Sequence, residues 1–212
     1  MNEALEIYSD EESVSQIVGY SYFEKYIDKY NLDENIFIRG ADCLGWATWK
    51  NRWQLFEKSS LKLLKEIKTR NLIRDFNWDG AYNYFQMLKD EYEGKVNSWA
   101  IRWYASMFLR DKYALYPFKS LVLHIGNDGY GTNYTRLNIQ NDPFNVPLHL
   151  SPITVHKIKP FQQENSRKAY IEFLSQFKQP FYKKIFSKVI SIAMKTEIKK
   201  LFKTDYKRKA FL

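Results

Sequence analysis

The chain has 212 residues, 45% hydrophobic and 17% aromatic, enough for one folded domain with a real core plus an appendage. A single cysteine, Cys43, excludes an internal disulfide and any cysteine-based metal cluster, and the three histidines, His124, His149 and His156, lack metal-ligand spacing, so zinc is not expected. The net charge of +9 belongs to the tail: residues 178–212 carry eleven Lys/Arg against Glu197 and Asp205, whereas residues 1–177 balance 22 basic with 22 acidic side chains.

In chain order, Asn2–Tyr8 reads as the end of a helix. Ser13–Tyr20, β-branched and closed by glycine, reads as a buried strand. Tyr20–Asn35 has no clear period and predicts a long loop with a helical turn, and Ile36–Arg39 a short strand. Four helical stretches follow, Ala47–Phe56, Ser60–Thr69, Asp79–Tyr92 and Ser98–Arg110. The second has Ser59 or Ser60 as cap and Leu61, Leu64, Ile67 and Leu72 as its apolar positions. The fourth places Trp99, Trp103, Met107 and Arg110 along one side, which predicts packing on the core.

Tyr113–Tyr116 and Ser120–Ile125 read as short strands joined across Pro117, and Gly126–Gly131, with three glycines, as a tight loop. Residues 138–160 hold four of the six prolines and predict an irregular arm leading away from the globule. In the remainder, Tyr182, Ile185, Phe186, Val189, Ile190, Ala193 and Leu201 fall opposite Lys184, Lys188, Lys195 and Lys199, a basic amphipathic helix. Met1–Ser9 lacks the basic region and apolar core of a signal peptide, and no apolar run approaches a membrane span, so a soluble or peripheral chain is expected.

Two aromatic-rich blocks, residues 40–53 (GADCLGWATWKNRW) and 94–132 (GKVNSWAIRWYASMFLRDKYALYPFKSLVLHIGNDGYGT), hold five of the six tryptophans. The runs GWATWKNRW, SWAIRWY, LYPFKSLVLHIG and DGYGT resemble the C-terminal half of bacterial sugar transferases related to glycosyltransferase family 2. The resemblance covers roughly residues 1–135 and implies an α/β fold: a partial GT-A-like (nucleotide-diphospho-sugar transferase) domain without its N-terminal βαβ half. With the proline-containing arm at 138–160 and a basic helical tail at 161–212 read from composition, residues 1–137 are left as the acceptor-side half.

The implied reaction transfers a sugar from a nucleotide sugar to a glycan or lipid-linked acceptor in surface polysaccharide synthesis. Such enzymes neutralise the leaving diphosphate with a divalent cation on a D-x-D cluster. No D-x-D occurs here, so no cofactor is expected on this chain, although Mn or Mg would serve a full-length relative. Asp10, Glu11 and Glu12 read as solvated charge. Gly45 and Trp46 fall where the family turns its chain beneath donor and acceptor. There glycine permits close approach and an indole offers a flat face to a sugar ring. Trp46 serves equally as core, and Trp49 and Trp53, at helical spacing, read as core.

An inverting transfer also needs a carboxylate to take the acceptor proton. The family's position for it is Asn97 here, and an amide is no base near neutral pH. Asp79, in FNWDG, is the substitute, or else a helix cap. Trp99 is a substrate-binding candidate. Arg102 either reaches a phosphate or sugar hydroxyl or pairs with a surface acid. Asp128 and Gly129 resemble the family's D-G-S-G-T-H element, with Asn133 in place of its histidine and Tyr130 in place of its serine.

The tail either suits an anionic membrane surface carrying lipid-linked acceptors, which implies a cytoplasmic protein peripheral on the inner face of the membrane, or is a solvated helix packed on the domain. Nucleic acid is not an expected partner, because the aromatics sit in the neutral part and no binding motif is present. The alternatives are a catalytically inactive remnant that binds glycan or protein, and a basic adaptor for nucleic acid or membrane.

Overall fold

The computed structural model describes residues 1–125 and 143–177. Residues 1–176 form one compact unit and residues 177–212 a second. Asp128, Gly129, the rest of the Gly126–Gly131 loop and the lysine-rich helix expected beyond residue 177 lie outside the described residues.

The fold is α/β. Four strands, β1 (Val14–Val18), β2 (Asn35–Arg39), β3 (Trp46–Ala47) and β4 (Tyr113–Pro117), form one mixed sheet in the order β2-β4-β1-β3. Only β1 and β4 are parallel. Every residue of β1 is buried, as expected for a strand covered on both faces. Its two polar side chains are satisfied from inside. Ser15 Oγ lies 3.0 and 2.9 Å from the Gly40 and Tyr113 carbonyls, and Gln16 accepts the Trp103 indole N–H at 2.6 Å while donating to the Asp42 carbonyl at 3.1 Å.

The helices are α1 (Asn2–Ile7), α2 (Ile27–Tyr30, after a 3-10 turn at Glu24–Tyr26), α3 (Lys50–Trp53), α4 (Ser60–Thr69), α5 (Ile73–Phe76), α6 (Tyr84–Tyr92), α7 (Trp99–Leu109) and α8 (Glu164–Ser175). The α4 helix begins where Ser59 Oγ accepts the Lys62 N–H, a cap that contributes about 1 kcal/mol. Its buried face is Leu63, Leu64 and Ile67. Leu61 is 39% exposed, so the apolar stripe is rotated from the one expected. That face meets α6 and α7 through Leu88, Ile101, Ala105 and Phe108. A second cluster joins α1 to the sheet through Ala4, Tyr8, Ile17, Phe37 and Leu115.

Three expected elements differ. The helix expected over Ala47–Phe56 is an edge strand followed by a single helical turn. Trp46 and Ala47 pair with Val18 and Ile17 of β1, and Thr48 Oγ1 donates to the Ser15 carbonyl at 2.6 Å, so a non-local ladder overrides the local pattern. The helix expected from Asp79 starts at Tyr84, capped by Asn83 Oδ1 on the Gln86 N–H at 3.2 Å. Trp78, Asp79 and Gly80 instead form a left-handed turn with φ of +52°, +53° and +81°. Among the described residues Ser120–Ile125 pairs with no strand and makes isolated contacts, such as Leu121 N–H to the Gly19 carbonyl at 2.7 Å.

Residues 143–163 have no regular structure, in keeping with their prolines, but they run along the globule rather than away from it. The Tyr8 hydroxyl accepts the Ile158 N–H at 2.9 Å, Tyr20 donates to the Phe144 carbonyl at 2.7 Å, and Val155 and Ile158 pack on the α1–sheet cluster. The α8 helix, placed in a basic tail by sequence, lies within the compact unit. Tyr170 and Phe173 bury their rings against Tyr22, at 5.7 and 4.4 Å between centroids. Among the described residues no helix is long and apolar enough to cross a membrane.

Candidate functional site

The two tryptophan blocks meet in space. β3 supplies Trp46, α3 supplies Trp53, and α7 supplies Trp99 and Trp103. The Trp46 ring centroid lies 5.7 Å from Trp99, 5.9 Å from Trp53 and 5.9 Å from Trp103, and Phe56 stacks on Trp53 at 5.1 Å. The rings are not equivalent. Trp103 is fully buried and fixed by its bond to Gln16, whereas Trp53 and Trp99 are 42% and 41% exposed and Trp46 is half-buried. The result is an aromatic surface standing on an anchored indole. Trp53, read from its spacing as core, belongs to this surface. Trp49 is the packing residue, its indole N–H donating to the Leu5 carbonyl at 3.2 Å.

Gly45 precedes this surface with φ of +54°, a conformation that favours glycine. A Cβ there would stand 2.6 Å from Val122 Cγ2, so the close neighbour of its backbone is a side chain of the same protein. Arg102 takes the ion-pair alternative: its Nε lies 3.2 Å from Glu91 Oε1 and its Nη1 donates to the Lys58 carbonyl at 3.1 Å. Its guanidinium also lies 5.8 Å from the Phe56 ring centre, at the margin of the aromatic surface.

The two base candidates are placed differently. Asn97 is exposed, one residue before Ser98, whose Oγ caps α7 on the Ile101 N–H. It therefore lies two residues from Trp99, beside the aromatic surface. Asp79 is held by two arginines, Arg74 Nε at 2.9 Å and Arg167 Nη2 at 2.5 Å. The hydrogen bond from Arg167, followed by that from Arg74, holds its carboxyl below the usual range, which makes it a weaker base. It does not cap a helix.

This pairing predicts an acid-dependent contribution to stability. A depressed folded-state pKa gives stability that is present above the unfolded value of about 3.9 and lost as pH falls through the lower folded value. Asp79→Asn keeps a residue that tolerates positive φ and removes the charge. It should cost about 1 kcal/mol at pH 7 after allowance for solvent screening, and nothing once both carboxyl states are protonated. Urea unfolding at pH 7 and near pH 2.5 checks this: a difference that persists unchanged at low pH contradicts it.

A carboxylate not singled out by sequence reasoning is linked to this surface through Gln16. Asp42, in the loop between β2 and β3, accepts hydroxyl bonds from Tyr22 at 2.7 Å and Tyr116 at 2.9 Å, and backbone N–H bonds from Cys43 at 2.5 Å and Leu44 at 3.0 Å. Burial, then the Asp42 charge, pushes both tyrosine hydroxyls well above their ordinary range, so they remain donors. The chain of bonds from Trp103 through Gln16 to the Asp42 backbone ties the aromatic surface to this buried polar cluster. Its one sequence signal is position, three residues before Gly45.

Among the described residues no group of three His, Cys, Asp or Glu side chains could hold a metal ion, so they do not fit the divalent cation that the resemblance associates with full-length relatives. No family model, no curated protein and no solved structure matches this chain.

Proposed function

We propose that this chain is the acceptor-side part of a GT-A-like sugar transferase and that the Trp46–Trp53–Trp99 surface receives a sugar ring of the glycan acceptor. The observation that carries the proposal is the clustering of these three indoles, two of them more than 40% exposed, on a fully buried fourth. Exposed indoles at this spacing present a broad apolar face of the kind that packs on the C–H side of a sugar ring. The phosphate-neutralising metal group of such enzymes has no counterpart among the described residues, so donor binding falls to another segment or chain.

A second reading, glycan binding without catalysis, is favoured by the base candidates. Asp79 is neutralised by two arginines, and the exposed position beside Trp99 carries an amide. Both readings use the same surface. Titration of the full chain with neutral and acidic oligosaccharides, wild type beside Trp53→Ala and Trp99→Ala, tests what they share.

A further inference from the structure

Where β1 and β4 begin, the turn before β1, the α3 helix and the turn between α7 and β4 enclose a groove of about 380 Å³. It is lined by Glu12, Asn51, Arg52, Leu55, Arg110 and Lys112. Arg52 is unusual in this molecule. It is 3% exposed, and no other charged side chain among the described residues is buried. Its Nη2 donates to the Ser9 carbonyl at 2.9 Å and its guanidinium lies 5.0 Å from the Trp49 ring centre, yet its buried Nε has no partner.

Arg110 and Lys112 are oriented in the same way, by carbonyls rather than by acids: Arg110 Nη1 donates to Ser106 at 2.9 Å and Lys112 Nζ to Glu12 at 2.7 Å. None of the three cations forms an ion pair with a carboxylate among the described residues. The nearby acids make their closest contacts elsewhere, although, after hydrogen bonds from Ser13 and Ser59, the charges of Arg52 and Arg110 help to hold the Glu11 and Glu57 carboxyls below their ordinary range. Asp111, between Arg110 and Lys112 in sequence, pairs with Arg39 at 2.5 Å. Glu11 accepts from Ser13 Oγ at 2.7 Å, and Glu57 accepts from the Ser59 N–H at 2.8 Å.

Three positive charges against the single carboxylate of Glu12 thus line one groove, with one guanidinium taken out of water. Glu11 acts on Arg52 only at longer range than an ion pair, so part of the cost of burying this guanidinium stays uncompensated, and a bound anion offsets it. A phosphate group carries about 1.5 to 2 negative charges and presents several acceptor oxygens to guanidinium and ammonium donors, which matches this surplus. The volume lies within the range of small-molecule sites.

We infer that the Arg52–Arg110–Lys112 groove is a binding site for a phosphate-bearing ligand. The site is independent of the sugar-transferase reading, since it uses none of the residues of the aromatic surface.

The test is calorimetry and thermal unfolding of the full chain with pyrophosphate at matched ionic strength, comparing wild type, Arg110→Gln/Lys112→Gln and Arg52→Met. The double variant alters one exposed and one half-buried side chain and leaves the lysine-rich tail intact, so a tail effect survives in it and a groove effect does not. Wild type is expected to bind saturably and to melt higher with pyrophosphate, and the double variant to bind about a hundredfold more weakly, the loss of two charge-assisted contacts. Arg52→Met should lose the pyrophosphate-induced rise while melting, without ligand, no lower than wild type. Short-chain phosphatidic acid below its micellar concentration, run beside pyrophosphate, identifies a lipid headgroup if it binds more tightly and a soluble ligand if it binds less tightly. Absence of saturable binding, or equal affinity in wild type and the double variant, overturns the inference.

Discussion

Trp103→Ala is expected to leave little folded protein at room temperature. Trp103 is fully buried, its ring lies 5.1 Å from Trp53 and 5.9 Å from Trp46, and its indole N–H is the donor to Gln16 Oε1. Truncating a buried tryptophan costs about 3–5 kcal/mol in lost burial and cavity. The orphaned Gln16 carbonyl, inside a strand with no exposed residue, adds about 1–3 kcal/mol. The sum approaches the whole stability of an ordinary domain, about 5–15 kcal/mol. Trp99→Ala, on the same helix but 41% exposed, should cost far less. Urea unfolding followed by near-ultraviolet circular dichroism distinguishes them. Closely similar midpoints for the two variants would show that Trp103 is not the anchor of the aromatic surface.

The second large effect is on rate. If the chain is joined to the donor-binding half of a GT-A sugar transferase, the fusion should be folded but slow. Asn97, beside Trp99, can orient an acceptor hydroxyl but cannot accept its proton. Asn97→Asp should then raise kcat by about 10²–10⁴-fold, the usual contribution of a positioned base, with donor affinity little changed. Asp79→Asn in the same fusion should leave turnover unaltered, since Asp79 is held by Arg74 and Arg167. A fusion already fast with Asn97, and silenced by Asp79→Asn, would move the base to Asp79. A fusion in which neither substitution matters would favour the purely glycan-binding reading.

The residues that decide these outcomes were unequally legible in the sequence. The α4 helix could be read because Ser59 sits where a cap must and Leu64 and Ile67 repeat at helical spacing; its limits, Ser60 and Thr69, are those expected. β1 and β2 could be read from short β-branched runs. β3 could not, since Trp46 and Ala47 are strand residues only because β1 offers them an edge, and nothing local records that. The same long-range placement separates Trp49, which packs, from Trp53, which is exposed, although the two lie at helical spacing from each other. Trp46 and Trp99, far apart in sequence, meet at 5.7 Å between ring centres, and Arg102 lies at the margin beside Phe56. Asp42 and the Arg52 groove depend on turns and partners that no spacing rule specifies.

Sugar binding at the Trp46–Trp53–Trp99 surface is the property to measure. Titration of the full chain with neutral and acidic oligosaccharides, followed by calorimetry and tryptophan fluorescence, should show saturable binding. Trp53→Ala and Trp99→Ala should each weaken it about tenfold, equivalent to about 1.4 kcal/mol for the loss of one ring's contact, while far-ultraviolet circular dichroism stays unchanged. Binding that is absent across the panel, or equally tight in both variants and wild type, would contradict the proposal.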